Sequence, residues 1–213
     1  MKLQDKMVTI ALAGSAAGDS LEGVFLAGTP SDDRGAVIAP PHPLYGGSME
    51  SPVVAELAFA CHRAGIATLR FNWRGVGASA GETSGDDAVA DQDYAAALAH
   101  IAETVPGTLL ACGYSFGSAA AVRAAERSPR VKRLVLVAPP PQLIAPARIA
   151  ALRARTLIVT GDRDSFVPVP ALQGALAGAS QVALRVLPGV DHFFGSGLGA
   201  LGREASEWLG AEQ

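Results

Sequence analysis

The sequence predicts an α/β fold: a mostly parallel central sheet of about eight strands with helices on both faces. Three observations carry this expectation. Eight short runs of β-type residues recur between turn residues. From the third run onward they are almost continuously apolar, as parallel strands covered on both faces must be. Helical periodicities alternate with them, strand then helix, as βα units require.

The first two runs, VTIAL at 8–12 and LEGVFLA at 21–27, are separated by a Gly/Ser/Asp turn and read as an antiparallel start. The remaining strands are expected at 36–40 (AVIAP), 67–72 (ATLRFN), 108–114 (TLLACGY), 132–139 (KRLVLVAP), 155–161 (RTLIVTG) and 181–188 (QVALRVLP). Ser51-Pro52 opens a first helix, in which Val53, Val54, Leu57, Ala58 and Cys61 repeat at helical spacing and proline occupies the first turn, where its missing N–H costs nothing. A second helix runs from about Ser84 to Thr104, with Asp86 and Asp87 at the positive end of its dipole. SAAAVRAAERS, at 118–128, is a third, Val169 to Ala177 a weaker fourth, and Leu198, Leu201, Ala205, Trp208 and Leu209 line one face of a last.

Length and composition bound the rest. The 213 residues suit a single domain spanning 1–213. A net charge of −3 with dispersed Lys and Arg offers no face for nucleic acid and no polybasic run for a membrane, so the expected partner is a small molecule. Cys61 and Cys112 lie in apolar runs without CxxC spacing and read as buried free thiols. The start, MKLQDKMVTIALAGSAAG, has a faint signal-peptide layout that Asp5 and Thr9 interrupt. No stretch approaches the roughly 20 apolar residues that span a bilayer, and a cytoplasmic location is expected.

Two stretches fit Gly-x-Ser-x-Gly: GYSFG at 113–117 and GASAG at 77–81. Chance gives roughly 0.2 such matches in a chain of this composition, so context must decide between them. A serine hydroxyl is a poor nucleophile unless a sharp turn exposes it beside a base, with backbone N–H groups waiting for the oxyanion. Ser115 has that setting, an apolar strand before it and a helical run after it. Ser79 lies in the polar loop NWRGVGASAGETSGDD.

Four histidines are present. His62 and His100 fall on amphipathic helices, whereas His192 lies in PGVDHFFG, just beyond the last strand and at the same sheet edge as Ser115. The loop TGDRDSFVP carries two carboxylates for that edge, Asp162 and Asp164, and residue types alone leave both open.

The order GYSFG, then DSFVP, then Asp-His resembles the α/β-hydrolase superfamily over about residues 20–212, with its succession of nucleophile, acid and histidine. The resemblance implies a catalytic triad of Ser115, Asp164 and His192. Asp164 is selected because the family acid commonly begins an Asp-x-x-Val-Pro run, with Asp162 as the fallback. It also implies an oxyanion hole from the N–H of Phe116 and one from the loop APPHPLYGGSME at 39–50. Pro43 there stands where a glycine is usual and cannot donate, which leaves Leu44, with Tyr45 as neighbour. His42 is expected to orient that loop rather than to react.

The loop resembles a small bacterial hydrolase group, which also carries an Arg-Gly-x-Gly-x-Ser run. That run places Ser79 as a loop serine; Arg74 is expected to brace the loop, with contact to an acidic substrate as the alternative. Between Pro139 and Thr156 there is room for a Pro-rich turn and one short helix but for no cap domain, so the site should be open. Dienelactone hydrolase, also lidless, is a neighbour that normally has Cys in place of Ser115.

The implied activity is a serine hydrolase of carboxylic esters or thioesters acting through an acyl-enzyme. It would have broad specificity, a small or surface-bound ester substrate, and neither cofactor nor metal. Its rate should rise with pH as the histidine base loses its proton. A peptidase or amidase on the same triad, and a non-catalytic binding module that retains the fold, are the alternatives.

Overall fold

A computed structural model of the chain describes residues 5–12 and 19–211; the turn expected between the first two strands, and most of the signal-like start, lie outside them. The strands are β1 (Lys6–Ala11), β2 (Ser20–Leu26), β3 (Gly35–Ala39), β4 (Ala67–Phe71), β5 (Leu109–Tyr114), β6 (Val131–Val137), β7 (Arg155–Gly161) and β8 (Val182–Leu187). They form one sheet in the order β1-β2-β4-β3-β5-β6-β7-β8. β1 pairs with β2 and β2 with β4 antiparallel; every later pairing is parallel.

All residues of β3 and β5 are buried, which explains their unbroken apolar spelling. β8 departs from the expectation of continuous burial. As the edge strand it keeps only Leu187 fully buried, so its outer residues need not be apolar.

The helices are α1 (Pro52–Arg63), α2 (Asp87–Thr104), α3 (Phe116–Arg127), α4 (Pro146–Ala151), α5 (Val169–Ala175) and α6 (Leu198–Gly210). α2 begins later than its acidic start suggests, because Asp86 stands outside as the cap. Its carboxylate accepts the N–H groups of Ala88 and Val89 at 2.8 and 3.0 Å. α1 packs on α6, where Arg63 donates to Ser206 Oγ and the Gly202 carbonyl. α2 packs on α3, where Asp91 of α2 pairs with Arg123 and Arg127. The segment between β6 and β7 holds a turn and the six-residue α4, with no lid.

The topology places the site. From β3 the chain steps one way to β4, then crosses back over β3 to β5. Where strand order reverses, the loops leaving neighbouring strands diverge and open a crevice at their carboxyl ends. Here that crevice lies between the loop after β3, which carries HPLYGG, and the turn after β5, which carries Ser115.

Candidate active site

Ser115 is the single residue between β5 and α3, and its backbone sits at φ 53°, ψ −115°, a region that a residue with a side chain occupies only when its surroundings force it. The forcing is visible. The Ser115 N–H donates to the Val137 carbonyl at 2.9 Å, and the Ser118 hydroxyl ties the carbonyls of Gly113 and Val137 at 2.8 and 3.0 Å. A Cβ on Gly113 would collide with the Gly117 backbone, and one on Gly117 would lie 2.5 Å from the Ala39 carbonyl oxygen. Only glycine lets strand, helix and the end of β3 approach this closely. The N–H of Phe116 opens α3, where no carbonyl of its own helix lies in register to accept it.

The Ser115 Oγ lies 2.9 Å from His192 Nε2, and His192 Nδ1 lies 2.8 Å from Asp164 Oδ2. A carboxylate can only accept, so Nδ1 carries the proton and Nε2 is left free to accept from the serine. Asp164 is fixed in turn: Oδ1 accepts the N–H groups of Phe166 and Val167 at 2.8 and 3.1 Å, and Oδ2 also accepts the Thr160 hydroxyl at 3.4 Å. The second candidate acid, Asp162, faces another way, its Oδ1 accepting the Gly189 N–H at 2.7 Å and holding the turn after β8.

His192 is presented by a kink. Phe194, two residues on, is buried with φ 53°, its ring edge-on to Tyr114 at 6.1 Å. The Tyr114 hydroxyl donates to the His192 carbonyl at 2.7 Å. Burial, then the charges of Asp164 and Asp191, push this phenol up to about 12, so it keeps its proton and remains a donor.

The chain matches the family model described as serine aminopeptidase, S33, over residues 43–146, which include Ser115 but neither Asp164 nor His192. A crystal structure of a protein of unknown function from Agrobacterium tumefaciens is 28% identical and superposes with a TM-score of 0.85 over 96% of this chain and 94% of that one. An α/β serine hydrolase homologue from Coxiella burnetii is 29% identical, with a TM-score of 0.83 over 98% of both chains. A lidless α/β serine hydrolase from Xanthomonas campestris is 27% identical, with a TM-score of 0.80 over 100% of this chain and 99% of that one. The chain has the α/β-hydrolase fold without a lid and is similar to these serine hydrolase homologues.

The loop after β3, expected to supply an oxyanion donor, has its own hydrogen bonds. Pro43, Leu44 and Tyr45 form a single 3₁₀ turn, and the Leu44 N–H, expected to face the oxyanion, donates to His42 Nδ1 at 3.2 Å. The neighbouring Tyr45 N–H donates to the His42 carbonyl at 3.1 Å. Both candidate donors therefore have local acceptors, because a 3₁₀ turn capped by its own histidine satisfies its amides itself. Burial holds the His42 imidazole below its ordinary range, in keeping with a ring that accepts at Nδ1. That ring stands between Tyr45 at 4.8 Å and Phe116 at 4.6 Å.

The second Gly-x-Ser-x-Gly stretch is built differently. Ser79 is buried, its hydroxyl donating to the Asn72 carbonyl at 3.0 Å and accepting the Glu22 N–H at 2.9 Å. Arg74 braces the same loop, its guanidinium and backbone N–H all reaching the buried Asp93 at 2.6–2.9 Å. Burial pushes the Asp93 carboxyl up, against the bonds from Arg74 that pull it down.

Trp73 escaped sequence reasoning. Its indole N–H donates to the carbonyls of Pro40 and Pro41 at 3.3 and 3.1 Å, pinning the start of the loop after β3 to the chain just past β4. The available signal was a tryptophan directly after a buried strand, whose N–H must find an acceptor. His62 and His100 stay on α1 and α2 and take no part in the chain of hydrogen bonds from Ser115 to Asp164, and His62 faces the Ala27 carbonyl at 3.2 Å. Cys61 and Cys112 are buried free thiols. No helix among the described residues is long and apolar enough to cross a membrane.

Proposed function

We propose that this hydrolase cleaves carboxylic esters or thioesters through an acyl-enzyme, with Ser115 as nucleophile, His192 as general base and acid, and Asp164 as the group that orients and stabilises the imidazole. The reading rests on the unbroken hydrogen-bonded chain from Ser115 through His192 to Asp164, beginning at a strained strand-to-helix turn.

As Ser115 Oγ attacks the acyl carbon, His192 Nε2 takes its proton. The Phe116 N–H and the positive end of α3 meet the oxyanion, and the Leu44 N–H joins them by exchanging His42 Nδ1 for the developing charge. His192 then protonates the leaving alcohol or thiol. A water, deprotonated by the same nitrogen, releases the acid and restores Ser115. Triad and amides supply nucleophile, proton transfer and charge stabilisation, so no cofactor enters any step. Without a cap the site takes a small or surface-bound ester.

A peptidase reading draws on the S33 description of the matching family model. Assaying short-chain p-nitrophenyl esters beside amino-acid p-nitroanilides separates the two. Ester hydrolysis with a p-nitrophenol burst stoichiometric with protein is the expected result. Preferential anilide cleavage moves the function to peptidase, and hydrolysis of neither leaves a binding module.

A further inference from the structure

Seven large apolar side chains are exposed among the described residues; Phe166 and Phe193 stand beside the His192 imidazole, and Leu44 and Tyr45 lie on the loop after β3. Exposed apolar groups gathered at one place mark a surface that meets something apolar. The phenylalanines have the tighter relation to the chemistry. Phe166 is 47% exposed with its ring 4.6 Å from the His192 imidazole; Phe193 is 70% exposed with its ring 5.6 Å from the same imidazole. They also meet each other edge-on at 6.3 Å, so three rings form one cluster with the imidazole as a member.

The packing explains why the rings stand out of the core. Phe166 follows Asp164 in the turn whose N–H groups hold that carboxylate. Phe193 lies between His192, which faces Ser115, and Phe194, which fills the core. Both rings are largely outside the core, and both border the imidazole of His192.

We infer that Phe166 and Phe193 select the leaving group, and that the preferred substrates are esters of an apolar, ring-bearing alcohol. The inference rests on the serine hydrolase reading. When the tetrahedral intermediate collapses, the bond from the acyl carbon to the leaving oxygen breaks as His192 Nε2–H gives that oxygen its proton. The products are the free alcohol and acyl-Ser115. The leaving oxygen must therefore come within hydrogen-bond reach of Nε2, and its substituent passes beside the two rings. On this inference the acyl side is left to the loop after β3, which carries Leu44 and Tyr45. Selectivity for the alcohol and for the acyl chain should thus be separable by mutation.

The test holds the acyl group constant. kcat/KM is measured for ethyl, butyl, benzyl and 2-phenylethyl acetate with wild type, Phe166→Ala, Phe193→Ala, Phe193→Tyr and, as a remote control, Phe59→Ala, whose ring pairs with Arg63 on α1. Wild type should prefer benzyl to ethyl acetate by about tenfold, the scale at which apolar contacts discriminate substrates. Each alanine variant should lower that ratio at least about threefold. Phe193→Tyr and Phe59→Ala should keep it, and acetyl-to-butyryl preference with a fixed p-nitrophenyl leaving group should not move. Equal wild-type rates on ethyl and benzyl acetate, or an unaltered ratio in both alanine variants, would overturn the inference while leaving the serine chemistry intact. If Ser115 reacts with a fluorophosphonate but no acetate is cleaved, the inference also fails. If Ser115 does not react at all, the hydrolase reading fails first.

Discussion

Ser115 and Ser79 share one Gly-x-Ser-x-Gly spelling and have opposite surroundings. Ser115 ends a buried strand at φ 53°, with its hydroxyl on an imidazole. Ser79 lies in the loop between β4 and α2 with its hydroxyl occupied by two backbone groups, the Asn72 carbonyl and the Glu22 N–H. The difference lies in what each hydroxyl can do next. The first faces an imidazole nitrogen at hydrogen-bond distance, at the start of a helix, whereas the second has spent its hydrogen-bonding capacity on the fold. A motif of small residues reports a tight backbone, and only the partner reports chemistry.

Mutation sharpens this comparison most at the nucleophiles. Ser115→Ala should lower kcat on a p-nitrophenyl ester by about 10⁴- to 10⁶-fold with little change in thermal stability. Ser79→Ala should leave kcat within a few-fold. The two aspartates of the loop after β7 give the next largest contrast: Asp164→Asn should lower kcat by about 10⁴-fold, whereas Asp162→Asn, which touches only the Gly189 turn, should act mainly on stability. Comparable losses in both aspartate variants would undo the assignment of Asp164.

The Ser79 side of the comparison is structural, and urea unfolding measures it. Arg74→Ala strands the buried Asp93 and should cost about 3 kcal/mol. Without the Arg74 guanidinium, burial raises the Asp93 carboxyl against the one remaining backbone N–H bond, so the folded state holds its proton more tightly than the unfolded chain does. Below the unfolded value both states are protonated and the penalty is absent; above the folded value both are ionised and it is complete. The deficit should therefore grow from pH 4 to pH 8. Ser79→Ala should cost less, about 1–3 kcal/mol, for its two unpaired backbone groups.

The sheet was legible because burial on both faces leaves only apolar spelling in its central strands, and the elbow because glycine alone fits at 113 and 117. β8 was less so, since an edge strand carries a mixed pattern. Within the site, Ser115 and His192 could be placed at one sheet edge from chain order. The choice of Asp164 over Asp162 needed a family motif, because two carboxylates two residues apart differ only in the direction each takes from the turn. The bond from Leu44 to His42 was invisible, because it arises from a 3₁₀ turn closing on its own cap. The aromatic pair beside His192 was also hidden: FF and SF carry no sign of which ring turns outward.

The central claim is that one of the two serines is a nucleophile and the other a strut. Its most direct test is reaction with a fluorophosphonate followed by peptide mass spectrometry. The modification should fall on Ser115 alone, vanish in Ser115→Ala and His192→Ala, and persist in Ser79→Ala. Labelling at Ser79, or labelling of Ser115 that survives loss of His192 undiminished, would contradict the account.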